Sequence, residues 1–466
     1  MSGPEAGAPS LTQCVAQFIE STKCEDIPDD VLELGKKSIL DGLGVALSGA
    51  VSVPGRIVRD YVREFGNGTC TVIGSGVRLT PRFAALANGT AMHADDYDDT
   101  LQAETGRYQG VHVTAPVLAA VLAAAEQRDA SGRELLAGYH VGVEVACRVF
   151  DATHVNHILH GFHATATCGM LGATAGVSRM VGAGVEPARL ALGLAASQAG
   201  GLQANNGTMT KPFHAGRSAE CAIVANDLVA RGFTASATIL ESPVGFYMAQ
   251  GGGYEDARLR GRLGSPWSFV ERGVWLKPFP SCSLSHPALT RIGELVREHD
   301  LKPEQIARIR VRTSQNIRDT LRHHAASDAL SAKFSMEFCL AAILHEGRCG
   351  LSQFNDALVN HADIRRIMGL IDYTPFSEQE ARANGYTLVT TLLEIELKDG
   401  RTIAARVDYG KGAKANPMSM DEVADKFREC AQYARWPEAK AEQAIGLARR
   451  LESLASVREL TACLAT

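Results

Sequence analysis

The chain has 466 residues, 45% of them hydrophobic and 21% charged, with a formal net charge of −5. That length exceeds one ordinary core, so two folding units are expected, and no basic stripe marks a nucleic-acid surface. The 11 cysteines are scattered without a CxxC pair, the first residues lack a basic start followed by an apolar core, and the most apolar run, residues 111–125, falls short of a membrane span; the reading is a soluble chain of the reducing cytoplasm that partners neither nucleic acid nor membrane.

From about residue 10 to 265 the chain is rich in Ala, Gly and Leu with helical periodicity. Pro28-Asp29-Asp30 reads as a helix start, and Val31, Leu34, Ile39, Leu43 and Leu47 continue it at three- to five-residue spacings. Small residues in Val117 to Ala125, Gly169 to Gly176 and Leu190 to Gly201 let helices approach closely, so a dense helical bundle is expected. Gly251-Gly252-Gly253 reads as a loop. After about residue 271 the period becomes two: Ile309 and Val311 alternate with Arg308, Arg310 and Arg312, and Leu393, Ile395 and Leu397 run into a Lys398-Asp399-Gly400 turn followed by Ile403, Ala405 and Val407, a hairpin signature. Helical pattern returns from about Ser419, with a further helix from Pro437 to about Leu454. The fold class is mainly α: an all-α helical domain over residues 1–271, an inserted smaller α+β lid over 272–410, and C-terminal helices over 411–466 that pack back on the first domain, which makes that domain discontinuous.

The densest chemistry lies in Met92-His93-Ala94-Asp95-Asp96-Tyr97-Asp98-Asp99-Thr100. So many acids cannot all be buried as ions. In a continuous helix His93, Asp96 and Thr100 would share one face; as a helix end the acids would be solvated or act as caps. Companions stand farther along, each polar within a small or apolar run: His112 in Gly-Val-His-Val-Thr-Ala-Pro, His163 in Gly-Phe-His-Ala-Thr-Ala-Thr-Cys-Gly, Lys211 in Thr-Lys-Pro-Phe-His-Ala-Gly, and Lys277 in Leu-Lys-Pro-Phe-Pro-Ser-Cys. Singly, each is explained by a satisfied core histidine or a lysine stem on apolar surface; the ordered series carries the information.

Other patterns fail on spacing. Leu79 stands where Gly74-Ser75-Gly76 would need the third glycine of a dinucleotide loop, and Cys349 where His345-Glu346 would need a second zinc-binding histidine. His154, His157, His160 and His163 recur every three residues, but only Asp151 is nearby as a carboxylate partner.

At the acidic motif and its companions the chain resembles the MmgE/PrpD family, whose members include 2-methylcitrate dehydratase, cis-aconitate decarboxylase and iminodisuccinate epimerase, with the motifs in order from about residue 10 to about residue 460. The resemblance implies the same helical-domain-plus-lid architecture, a homodimer, no metal, no cofactor, and a small di- or tricarboxylate as substrate. It assigns Asp96, His112, His163, Lys211 and Lys277 to catalysis and Thr100, His214 and His286 to substrate contacts. Lysines would neutralise carboxylates and an enolate-like intermediate, and a histidine would move the proton.

Two departures bear on the reaction. Phe338, in Lys333-Phe334-Ser335-Met336-Glu337-Phe338, occupies the position of a tyrosine in cis-aconitate decarboxylases, and the link Leu101 to Val111 is longer than in the decarboxylases and methylcitrate dehydratases, bringing Arg107 and Tyr108 as further substrate contacts. The resulting expectation is a hydro-lyase similar to 2-methylcitrate dehydratase. An epimerase of an imino- or amino-dicarboxylate, a cis-aconitate-type decarboxylase and a non-catalytic scaffold on the same fold are the alternatives.

Overall fold

The computed structural model describes residues 9–101 and 110–466. Helices dominate, and their starts follow the capping chemistry of the sequence. Helix α1 (Leu11–Ser21) begins at Ser10, whose hydroxyl accepts the Gln13 N–H at 3.1 Å. Helix α2 (Asp29–Ala50) begins at Pro28 with Asp29 and Asp30 in its first turn, where the helix dipole favours negative charge. It is followed by α3 (Val53–Arg63) and α4 (Pro81–His93). The centre of the bundle is α5 (Thr114–Arg128), α6 (Gly132–Ala152), α7 (Ala164–Met180), α8 (Val185–Ala196) and α9 (Thr210–Val229).

The small-residue runs do bring helix backbones together. A Cβ added at Gly172 on α7 would lie 2.5 Å from the Gly142 carbonyl oxygen of α6 and 2.5 Å from the Ala146 Cβ. Any side chain there would force the two helices apart, an overpacking penalty of roughly 1–3 kcal/mol.

The helical core is not free of strands. Cys70–Thr71 pairs with Arg78–Leu79, and Thr100–Leu101 pairs antiparallel with Val274–Trp275. The second pair matters most, because it ties the acidic segment to a chain position more than 170 residues away. No single helix among the described residues is long and apolar enough to cross a membrane.

Beyond residue 280 come α10 (His286–His299), strand β1 (Ile306–Thr313), α11 (Met336–Glu346), α12 (Ala362–Met368), β2 (Ile371–Pro375), β3 (Thr391–Leu397) and β4 (Thr402–Val407). The sheet order is β2-β1-β3-β4, with β1 and β2 parallel and the other neighbours antiparallel. The Asp-Gly turn closes the expected hairpin in a register that sets Leu393 opposite Ala405 and Ile395 opposite Ile403. On β1, Ile309 and Val311 face the core, while Arg310 pairs with Glu394 and Glu396 on the opposite face and Arg312 with Glu380. The alternation read from the sequence thus follows the pleat.

Two main hydrophobic clusters result. One takes its residues from Leu11 to Leu276, then Leu351, and then Met418 to Leu464; the other lies within Ala288 to Leu397. Helix α13 (Met420–Tyr433) opens with a capping box, Ser419 accepting the Glu422 N–H and Glu422 the Ser419 N–H, and packs against α2. Helix α14 (Glu438–Arg449) follows Pro437 and ends short of Leu454.

Candidate functional site

The acidic segment is not a continuous helix. α4 stops at His93, and Asp96 adopts φ 54°, a left-handed conformation uncommon for a residue with a Cβ. Thr100 lies in the short strand paired with Trp275. The left-handed turn at Asp96 abolishes the shared helical face and sends successive acids in different directions. Asp95 turns to the Ser48 hydroxyl at 2.8 Å, and Asp99 accepts the Thr114 N–H at 3.2 Å and its hydroxyl. The tip is clamped from the far end of the chain: Lys426 on α13 donates to the Tyr97 carbonyl at 2.7 Å, pairs with Asp41 at 2.6 Å and lies 3.8 Å from the Tyr97 ring centre.

Asp96 is the hub. Lys211, in the first turn of α9, reaches its Oδ1 at 2.5 Å, and Lys277, just past the Val274–Trp275 strand, reaches Oδ2 at 3.3 Å and the Asp96 carbonyl at 2.8 Å. His112 Nε2 stands 4.0 Å from the same Oδ1. Burial opposes ionisation of Asp96, but Lys211, then Lys277 and His112, outweigh it and hold the carboxyl far below its usual range. Burial likewise opposes the Lys211 ammonium, and Asp96 outweighs it, so this lysine stays charged. Two ammonium groups therefore share one carboxylate in a confined site.

Behind this hub lies a histidine cluster. Asp98 is wholly buried; its carboxylate accepts from His93 Nδ1 at 2.9 Å and sits 3.3 Å from His112 Nδ1. Burial would raise its pKa, yet the two imidazoles prevail and keep it well below the usual carboxylate range. Burial pulls His93 down to about 4, so at neutral pH it is an uncharged ring whose Nδ1–H donates to Asp98. His163 stacks on His93 with ring centres 5.8 Å apart and meets His214 Nδ1 to Nδ1 at 3.1 Å. Burial, reinforced by neighbouring positive charge, lowers His163 well below its ordinary value and His214 to about 4. Gly201 makes room for this contact: at φ 150° it lies so close that an added Cβ would be 3.2 Å from the His214 ring.

Asp96, His112, His163, Lys211, Lys277 and His214 are thus brought together. Thr100 lies in the same segment, its hydroxyl turned to the Leu101 carbonyl at 3.5 Å. Arg107 and Tyr108 fall outside the described residues; the flanks of that link are joined by the Leu101 N–H bonding the Val111 carbonyl at 2.9 Å. Two expected substrate contacts stand elsewhere. His286 is wholly buried, bonded to the Ser281 carbonyl at 3.2 Å and packed edge-on to Trp275 and Phe279, so it supports the loop carrying Lys277. Phe338 is 0% exposed within the second cluster, its ring 5.5 Å from Phe354, because α11 turns its apolar face into that core.

Sequence reasoning missed His93 and Asp98 as a buried pair, and it missed Lys333. Spacing alone does not tell one acid of four from the next, and Lys333 meets the segment only through the fold. His93, Asp98 and His112 also have potential metal-ligand atoms within 4.8 Å of one another, but Asp98 already bridges the two rings. His345, His361 and Asp363 form a second such group with mostly exposed side chains. A cleft of about 660 Å³, bordered by Arg297, Arg348, Lys411 and Arg428, adjoins the site's framework only at Pro278, Phe279 and Glu429.

Asp99 gives a pH signature. Burial, aided by the charges of Asp98 and Asp41, raises its pKa to about 7 against the bonds from Thr114. The folded chain then holds a proton that the unfolded chain releases near pH 4, so stability falls as pH rises from about 4 to about 7. His93, His157 and His214, each lowered to about 4 mainly by burial, act oppositely, and stability falls on acidification below about 6.5. Asp99→Asn keeps an acceptor for the Thr114 N–H and adds a donor for its hydroxyl. Its melting-temperature advantage over the unsubstituted chain is expected to grow between pH 5 and pH 8; a constant difference would contradict a carboxyl titrating there.

The MmgE/PrpD N-terminal domain model matches residues 13–258 and the MmgE/PrpD C-terminal domain model residues 279–453. The chain is similar to a cis-aconitate decarboxylase of Homo sapiens, 28% identical over 98% of this chain and 94% of the relative. It is also similar to those of Mus musculus, 28% identical over 97% and 93%, and Aspergillus terreus (strain NIH 2624 / FGSC A1156), 27% identical over 90% and 89%. With both halves matched in order, the chain belongs to the MmgE/PrpD family.

Proposed function

We propose that this chain is a lyase acting on a small tricarboxylate through a carbanion adjacent to a carboxylate. The observation that carries the reading is the pair Lys211 and Lys277 sharing Asp96, with His112 Nε2 directed at the same carboxylate. The lysines bind a substrate carboxylate and the negative charge that spreads onto it as the reacting bond breaks. His112, oriented from behind by Asp98, moves the proton. In decarboxylation the C–C bond breaks, carbon dioxide leaves, and its electron pair stays on the carbon that His112 then protonates. In dehydration a base takes the α proton, the electron pair forms the double bond, and the β hydroxyl leaves as water after taking a proton from the protonated base or a second imidazole of the cluster.

The curated relatives named above support decarboxylation as the outcome. Dehydration is the second reading, supported by the same paired lysines, which would stabilise the carbanion that expels a β hydroxyl as well as the one left by carbon dioxide. Proton NMR in deuterated buffer separates them, with cis-aconitate, 2-methylcitrate, citrate and iminodisuccinate supplied singly to chelator-treated enzyme. Itaconate with carbon dioxide identifies a decarboxylase; without carbon dioxide, a new vinyl proton from citrate, or replacement of the 2-methylcitrate methyl doublet by a downfield allylic singlet, identifies a dehydratase. Deuterium uptake without elimination would replace the lyase reading by an epimerase, and silence with all four would refute it for these substrates.

A further inference from the structure

A fourth lysine reaches the acidic segment, this one from the other core. Lys333 stands just before α11, whose apolar residues belong wholly to the second cluster. Its Nζ donates to the Asp95 carbonyl, the peptide oxygen next to the one held by Lys277. Its backbone is fixed by the Cys282 N–H, which donates to the Lys333 carbonyl at 3.0 Å, and the ring of Phe354 lies 5.6 Å from its amine.

The partners of the lysines differ in kind. Lys211 and Lys277 share the Asp96 carboxylate, and Lys426 has Asp41. Lys333 has only a neutral carbonyl: among the described residues no carboxylate oxygen lies within 4.0 Å of its amine, and the Asp95 carboxylate is turned to Ser48. A partly buried ammonium without an anion is poorly compensated, and a bound anion would relieve it. Burial lowers the Lys333 pKa; Asp95 and Asp96 offset this in part, while Lys277 and Lys211 add to it.

We propose that Lys333 receives a substrate carboxylate that Lys211 and Lys277 do not hold, so that the segment from the second core selects ligands by their number of carboxylates. This rests on the polycarboxylate reading above. It also explains why a lysine on one core is directed at a loop of the other: the substrate would bridge them.

Titration calorimetry on the full chain tests it with two unreactive probes, propane-1,2,3-tricarboxylate and glutarate. The unsubstituted protein is expected to bind the tricarboxylate at least about 10-fold more tightly. Lys333→Met and Lys333→Gln should each remove most of that preference while leaving glutarate affinity within about twofold, and Lys333→Arg should keep part of it; thermal melts confirm that each variant is folded. An unchanged preference in the folded variants would overturn the assignment of Lys333 alone, as would equal weakening of both probes, which marks a structural role. If the unsubstituted protein bound neither probe, the polycarboxylate reading and the inference would fall together.

Discussion

Lys211→Ala is expected to lower kcat/KM by about three orders of magnitude while the protein remains folded. Its ammonium is buried against Asp96 at 2.5 Å, and truncating one partner of such a contact costs about 2–5 kcal/mol, where each 1.4 kcal/mol is tenfold. The loss falls on catalysis because the lysine sits in the first turn of α9, outside the hydrophobic clusters, so the helix packing is left intact. Asp96 would retain Lys277 at 3.3 Å but lose the nearer of its two cations, and its pKa would rise. Lys211→Arg is not expected to restore full activity, since a planar fork cannot replace a compact point charge. Steady-state kinetics with circular dichroism on the same samples checks this; a variant with normal kcat/KM would remove Lys211 from the mechanism.

Asp98→Asn carries the second large effect, through His112 rather than through substrate. The carboxylate is acceptor-only: it accepts from His93 Nδ1 and faces His112 Nδ1 at 3.3 Å as a charge partner. An amide of the same shape offers one acceptor and one donor group, so one imidazole must switch tautomer or lose its bond. If His112 switches, its Nε2 no longer faces Asp96 in the protonation state the reaction needs. The expected result is a drop in kcat of about 10²–10⁴, the range typical of general acid–base catalysis, with KM changed little. Nitrogen NMR of labelled histidine should show the altered tautomer in the same variant. A matched fall in kcat and rise in KM would instead indicate that Asp98 acts on binding.

Much of the scaffold was legible because it rests on local repetition. The 29–47 periodicity becomes α2, the Lys398-Asp399-Gly400 turn becomes the β3–β4 hairpin, and the small residues near Gly172 mark a real close approach. The gathering of His112, His163, Lys211 and Lys277 around the acidic segment was legible from a different source, the resemblance of ordered motifs. The divergence of the four acids was not, since it depends on the left-handed turn at Asp96 and on partners as unlike as Ser48, His93, Thr114 and, 115 positions away, Lys211, which the acid run itself does not name. Phe338 was placed by motif register, whereas burial of α11's apolar face decided its position.

The clamp of Lys426 on Asp41 and Tyr97 has a consequence for how the enzyme is made. Helices α2, α4 and α5 pack on one another, but α2 also packs on α13 and α4 on α9, so their contacts span most of the chain. Asp41 and the Tyr97 carbonyl then await an amine that appears only when α13 has been synthesised, and Lys277 and Lys333 arrive in between. Completion of the site and of the first hydrophobic cluster therefore both depend on the C-terminal helices. A C-terminally clipped molecule would lose this clamp together with part of the first hydrophobic cluster, so its activity and its stability are expected to fall together.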